Sequence, residues 1–234
     1  MDNDTKHIDP ISPLIQQRVT RCSRSIATRC KELAPLYEYK FYEFEELKPI
    51  IFENLDCILF GLNQSSITIS NHILERVLRI AIKSYNLGSL KYGNDELQVK
   101  SQSTDEELSS LTLSKLIDKA TKLNLLSKKE VEWLKTCANK LRNPWSHGNY
   151  AQIIDRSITN VGANTGYLFS FKDAAEAMKK GEEIPSKSVK PTSSTIAQIM
   201  LPEIASTNAV PYIKNILRLM MNIEQRLKEY KRTL

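Results

Sequence analysis

Hydrophobic positions recur along most of this chain with the three-to-four-residue spacing of amphipathic helices. In residues 14–33, Ile15, Val19, Cys22, Ile26, Cys30 and Leu33 line up, forming one narrow stripe at about 100° per residue. Ser12 can cap this helix and Pro13 suits its first position. Pro35 is expected to stop it. Residues 49–62 and 66–86 read as two further helices, or as one broken at Gly61. In the second, Ile73, Val77, Ile80, Ala81 and Ser84 share a face. His72, Glu75, Arg76, Arg79 and Lys83 take the polar side, with Glu75 and Arg79 spaced to pair. Helices are predicted at 112–123 and 127–141, the latter opened by a capping box of Ser127 and Glu130. Val131, Leu134, Ala138 and Leu141 form its apolar face. Pro144 then either kinks that helix or begins a new one with Asn143 as its cap. Residues 211–230 read as a terminal helix, with Ile213, Ile216, Leu217, Met220, Ile223 and Leu227 on one stripe.

The remaining segments break this pattern. Residues 87–110 turn polar and read as a loop, and residues 181–195, with Pro185 and Pro191, read as a linker. Residues 155–170 alone lean toward strand, around Gly162 and Gly166, which predicts a small hairpin insertion. Residues 172–180 look helical. The expected fold is an all-α helical bundle, one domain over residues 1–234.

Composition changes this picture little. The chain of 234 residues is 41% hydrophobic and 26% charged, ordinary for a globular protein. The net charge of +6 is compatible with a nucleic-acid partner without requiring one. Cys22, Cys30, Cys57 and Cys137 form no C-x-x-C pair and no metal-ligand spacing with histidine. They read as free thiols in a reducing cytoplasm. No signal peptide opens the chain, and no apolar run approaches the ~20 residues of a membrane span. The scattered glycines supply neither dinucleotide nor P-loop signature. No cofactor is expected.

Two charged stretches have competing readings. Arg18, Arg21, Arg24 and Arg29 lie off the first stripe, with no acidic residue between Leu14 and Lys31. That face is either solvated or a surface for an RNA backbone or a protein partner. Tyr37, Tyr39, Phe41, Tyr42 and Phe44 could stack on bases, but Glu38, Glu43, Glu45 and Glu46 between them repel phosphate. Those rings read as packing.

The chemically loaded segment is Leu141-Arg142-Asn143-Pro144-Trp145-Ser146-His147-Gly148-Asn149-Tyr150. Metal-free RNA cleavage needs a base for the ribose 2′-hydroxyl, an acid for the leaving oxygen and a cation for the crowded phosphorane. Histidine serves near neutral pH as acid or base. Arginine stays charged and grips two phosphate oxygens at once. Asn143 can orient either, and in helical geometry it shares a face with His147. Trp145 reads as a core anchor for the chain break. The alternative is that Arg142 and His147 merely hydrogen-bond a helix junction.

Arg142, Asn143 and His147 match R-N-x-x-x-H, and on these residues the chain resembles the HEPN superfamily of ribonucleases. The resemblance spans about residues 45–155, with helices 14–33 and 211–230 flanking it. The helix containing Glu75 is similar to the acidic second helix of several HEPN groups, which adds Glu75 as a supporting residue. Ser146 and Tyr150 are further supporting candidates. Asn149 stands where one toxin group, paired with nucleotidyltransferase antitoxins, carries tyrosine, and Tyr150 comes one later. The resemblance implies a helical bundle, a homodimer across the motif, metal-independent endoribonuclease action on RNA, and a toxin or antiviral role. An antitoxin or defence-system partner would accompany that role. The alternative is a non-catalytic helical module of the same fold, a sensor or adaptor in a defence or regulatory complex.

Overall fold

The computed structural model describes residues 12–88, 95–142, 145, 166–168, 187–189 and 194–233. The fold is all-α. Its helices are α1 (Pro13–Tyr37), α2 (Lys48–Leu59), α3 (Asn63–Leu87), α4 (Asp95–Ser109), α5 (Leu113–Lys122), α6 (Lys128–Cys137) and α7 (Ser194–Arg232). A 3₁₀ turn, Glu45–Leu47, leads into α2, and a π-helical turn, Ala138–Arg142, continues α6. Among the described residues, no helix is long and apolar enough to cross a membrane.

Local chemistry fixes most boundaries. Ser12 accepts the Ile15 amide at 3.4 Å, capping α1 with Pro13 behind it. Gly61 has φ +78°, the left-handed conformation that glycine adopts without a Cβ clash. It separates α2 from α3 through paired bonds, Gly61 N–H to Ile58 and Leu62 N–H to Cys57. Asn124, φ 56°, ends α5 with the same pair of bonds, to Thr121 and Ala120. The expected capping box is formed: Ser127 accepts the Glu130 amide and Glu130 accepts the Ser127 amide.

The core gathers residues from Leu33 to Leu227 around α3, whose Ile73, Leu74, Val77, Leu78, Ala81 and Ile82 are all buried. The helix predicted at 211–230 as a flank packs along α3 and contributes Ile213, Ile216, Leu217, Met220 and Ile223 to this centre. Within the α2–α3 contact, buried Asn54 donates to the Ser66 carbonyl and to Ser70 Oγ, and accepts from Ser66 Oγ. These bonds satisfy polar groups that would be costly to bury unpaired.

Several predicted boundaries move. Residues 95–109, expected as loop, form α4 because tertiary contacts supply what their weak periodicity lacks. Leu108 is buried, Lys83 pairs with Asp105, and Arg79 donates to the Leu108 and Leu111 carbonyls. Arg79 is thus held by carbonyls rather than by Glu75. Helix α1 runs on through Pro35, because buried Leu33 and Leu36 anchor its last turns. Its stripe is only partly used: Leu33 is buried, Cys22 and Ile26 are half-buried, and Ile15, Val19 and Cys30 are exposed. The terminal helix begins at Ser194 and passes Pro202 and Pro211, since Leu201, Ile204, Ala205 and Ala209 are buried. The strand tendency at 155–170 is met by Gly166–Leu168, which pairs antiparallel with Lys187–Val189. That partner lies in the predicted linker. The helix expected at 172–180 lies outside the described residues.

The aromatic segment packs as expected. Phe41 and Phe44 are buried at a 78° interplanar angle, and Tyr37 and Tyr39 rest on the core. Tyr42 is the exception at 82% exposure, with Lys228 Nζ 4.9 Å above its ring. Buried Glu224 of α7 accepts the Tyr42 and Glu43 amides, tying this segment to the terminal helix.

Glu130 joins local capping to tertiary packing. It also receives Asn222 and Arg226 from α7, at 2.9 Å each. Burial pushes its pKa up, but the Ser127 amide, Asn222, the Ser127 hydroxyl and Arg226 outweigh that and hold it below the ordinary carboxylate value. A depressed folded pKa gives stability that is present above the unfolded value and lost as pH falls through the folded one. Glu130→Gln should therefore lower the melting temperature at neutral pH. The gap from the native chain should narrow as pH falls below the ordinary carboxylate range and close once Glu130 is protonated in the folded chain too.

Candidate functional site

Arg142 closes the π-helical turn that follows α6. A π turn widens the helix by one residue and re-aims the side chains that follow it. Here the turn lies against α3. Arg142 Nη2 donates to Glu75 Oε1 at 2.7 Å, and Nε donates to the same oxygen at 3.0 Å. The two side chains retain 27% and 24% exposure, so the pair sits at the surface end of the α3–α6 seam. Two bonds from one guanidinium fix its plane more firmly than a single bond would.

Trp145 is half-buried and packed against the core, as an anchor for the chain break would be. Its Nε1 is buried and meets no hydrogen-bond partner among the described residues. Asn143, Ser146, His147 and Tyr150 lie outside the described residues, so of the sequence-derived candidates the structure brings together Arg142 and Glu75. His72 is exposed on α3, one turn before Glu75.

The structure adds polar neighbours that sequence reasoning passed over. Asn71 lies one turn before Glu75 on α3, buried, and its Oδ1 accepts the Tyr212 hydroxyl of α7 at 2.8 Å. Asn71 Nδ2 is buried and meets no partner among the described residues. Burial, first of all, raises the Tyr212 hydroxyl pKa; Cys137 and Glu75 push the same way and Arg142 opposes them. Burial likewise pushes the Cys137 thiol up to about 12, so it stays protonated and inert. The arginine therefore stands over a layer in which α3, α6 and α7 meet. Tyr212 had no legible signal, because its place beside Arg142 and Glu75 depends on the register in which α7 packs along α3. Asn71 had a faint one, an amide four residues before Glu75 on a helix.

Among the described residues, no three His, Cys, Asp or Glu side chains gather as a metal site would require. No family model, curated protein or solved structure matches the chain. The functional reading rests on the motif and its setting.

Proposed function

We propose that this chain is a metal-independent endoribonuclease of the HEPN type, acting in the cytoplasm as a homodimer and serving as a toxin or antiviral effector. The observation that carries this reading is the Arg142–Glu75 pair. The arginine of R-N-x-x-x-H and the acidic residue on α3 are 67 positions apart, yet they bond directly at a partly exposed seam. A guanidinium stays charged at every relevant pH, and one held by a carboxylate at a partly exposed seam is positioned to attract phosphate oxygens. His147, five residues on, supplies a group that titrates near neutral pH and can move the 2′-hydroxyl or leaving-group proton. Asn143 supports their orientation. The same pair would also serve a non-catalytic adaptor as a clasp between helices, and activity separates the two readings.

The test is incubation of the pure protein with total RNA in EDTA, beside His147→Ala. Cleavage should survive chelation, leave 2′,3′-cyclic phosphate or 3′-phosphate ends, and vanish in the variant. Loss of cleavage in EDTA, with recovery on adding Mg²⁺, would overturn the metal-independent mechanism. Absence of cleavage under every condition would favour the adaptor.

In-line displacement needs a proton donor as well as an acceptor, and each chain offers one motif histidine. A two-fold axis would bring both copies to one cleft, where the paired arginines attract the RNA backbone. Light scattering should report twice the chain mass. Mixing Arg142→Ala subunits with native ones should lower activity beyond simple dilution. A fully active monomer would rule out the composite site.

A further inference from the structure

The start of α1 extends past the rest of the described fold. Cys22 Sγ lies 3.5 Å from the Phe60 carbonyl and Ser25 Oγ 3.4 Å from the Ile58 carbonyl, so α1 meets the end of α2 at this level. Further along, Tyr37 bonds Asp56 in the last turn of α2 and its ring meets Phe52 one turn earlier, so α1 runs back along α2 from this corner. Residues 12–21 are all exposed beyond the corner. At 1.5 Å per residue they reach about 14 Å past it. The overhang carries the same stripe that packs lower down: Ile15 and Val19 stand 53% and 56% exposed, in line with half-buried Cys22 and Ile26. Phe60 and Leu62, also exposed, floor the corner.

We infer that this corner docks an acidic amphipathic helix of a protein partner, seated on Ile15, Val19, Phe60 and Leu62 with its carboxylates toward Arg18 and Arg21. Three observations select that occupant. The stripe already meets helix surface further along, where Cys22 lies against the end of α2 and Leu33 is buried in the core. The charges complement an acidic partner: Arg18, Arg21 and Arg24 are exposed and form no ion pair among the described residues, and no acidic residue lies between Leu14 and Lys31. The cations are also one-sided. By helical spacing, Arg18 and Arg21 follow one flank of the stripe, while Gln16, Thr20 and Ser23 follow the other. A bilayer meets a surface helix with cations on both flanks, whereas a single helix alongside needs them on one. An RNA backbone would leave Ile15 and Val19 in water. A second copy of α1 in the same corner would set arginines against arginines.

The patch is small beside the roughly 1,200 Å² of a stable interface, so modest affinity is expected. A labelled synthetic helix of roughly 20 residues, long enough to be helical alone, serves as probe. It carries a Leu/Ile stripe and glutamates, and its control carries lysines instead. Fluorescence anisotropy should show micromolar binding of the acidic helix that weakens with ionic strength, and none of the basic one. Val19→Asp and Arg18→Glu should each weaken it by about tenfold or more, without shifting the melting temperature, because both positions are exposed. Equal binding by the Val19→Asp chain would overturn the inference. So would a preference for phosphatidylserine vesicles or polyuridylate over the peptide, or self-association that Val19→Asp dissolves.

Discussion

Alanine at Arg142 or His147 is expected to lower RNA cleavage by about 10²- to 10⁴-fold, the range for losing a general acid–base group or a fixed transition-state donor. Circular dichroism should not change, and the melting temperature should fall by only a few degrees. The Arg142–Glu75 pair keeps about a quarter of its exposure, so water can reach Glu75 once the arginine is gone and the loss stays at about 1–3 kcal/mol. An interaction made chiefly in the transition state can vanish at little cost to the fold. Arg142→Lys should recover only a small part of the activity, because an ammonium cannot present the Nε and Nη2 donors that meet Glu75 Oε1 in one plane. In a bacterial host, expression of the native chain should arrest growth, and either alanine variant should relieve it. A variant inactive only because it has unfolded would instead make Arg142 a joint between helices.

Phe44→Ala should destabilise the chain by about 3–5 kcal/mol, the cost of removing a fully buried aromatic ring and leaving a cavity. Phe44 has no exposure at all, and it meets Phe41 edge-on with ring centroids 6.3 Å apart. Urea unfolding gives the value directly, with an unchanged slope if the loss is one of stability alone. Tyr42→Ala, two residues away, should cost under about 1 kcal/mol, since the ring is 82% exposed and the contact it makes is the Lys228 cation above it. RNA affinity should not fall in Tyr42→Ala, given the acidic neighbours. A clear drop would show that this segment stacks on bases after all.

Where a short-range rule governs, the sequence was sufficient. Ser12 and Pro13 set the start of α1, Gly61 the break before α3, and Ser127 with Glu130 the start of α6. Each is decided within a turn of backbone, by a capping oxygen or by a conformation that only a residue without Cβ takes freely. The reading failed where distant burial outweighs local preference. A polar segment such as 95–109 is helical because Leu108, Asp105 and the carbonyls near Leu108 find partners on α3. Pro202 and Pro211 sit within α7 because the apolar residues around them are buried.

The candidate site divides in the same way. R-N-x-x-x-H at Arg142, Asn143 and His147 is a statement about order along the chain, and the sequence holds it entire. Which carboxylate meets the arginine is not local. Glu75 has Arg79 four residues on, at a spacing that suits an ion pair, and takes Arg142 from 67 residues away instead. The π turn carries Arg142 onto α3, while Arg79 is drawn aside to the carbonyls of Leu108 and Leu111. Tyr212 and Asn71 meet near the pair only because α7 packs along α3 in this register. The sequence by itself determined the helices with strong caps, the packing role of the aromatic segment and the motif's residues. The tertiary structure decided the motif's partners, since contacts across many residues depend on how whole helices bury their apolar faces together.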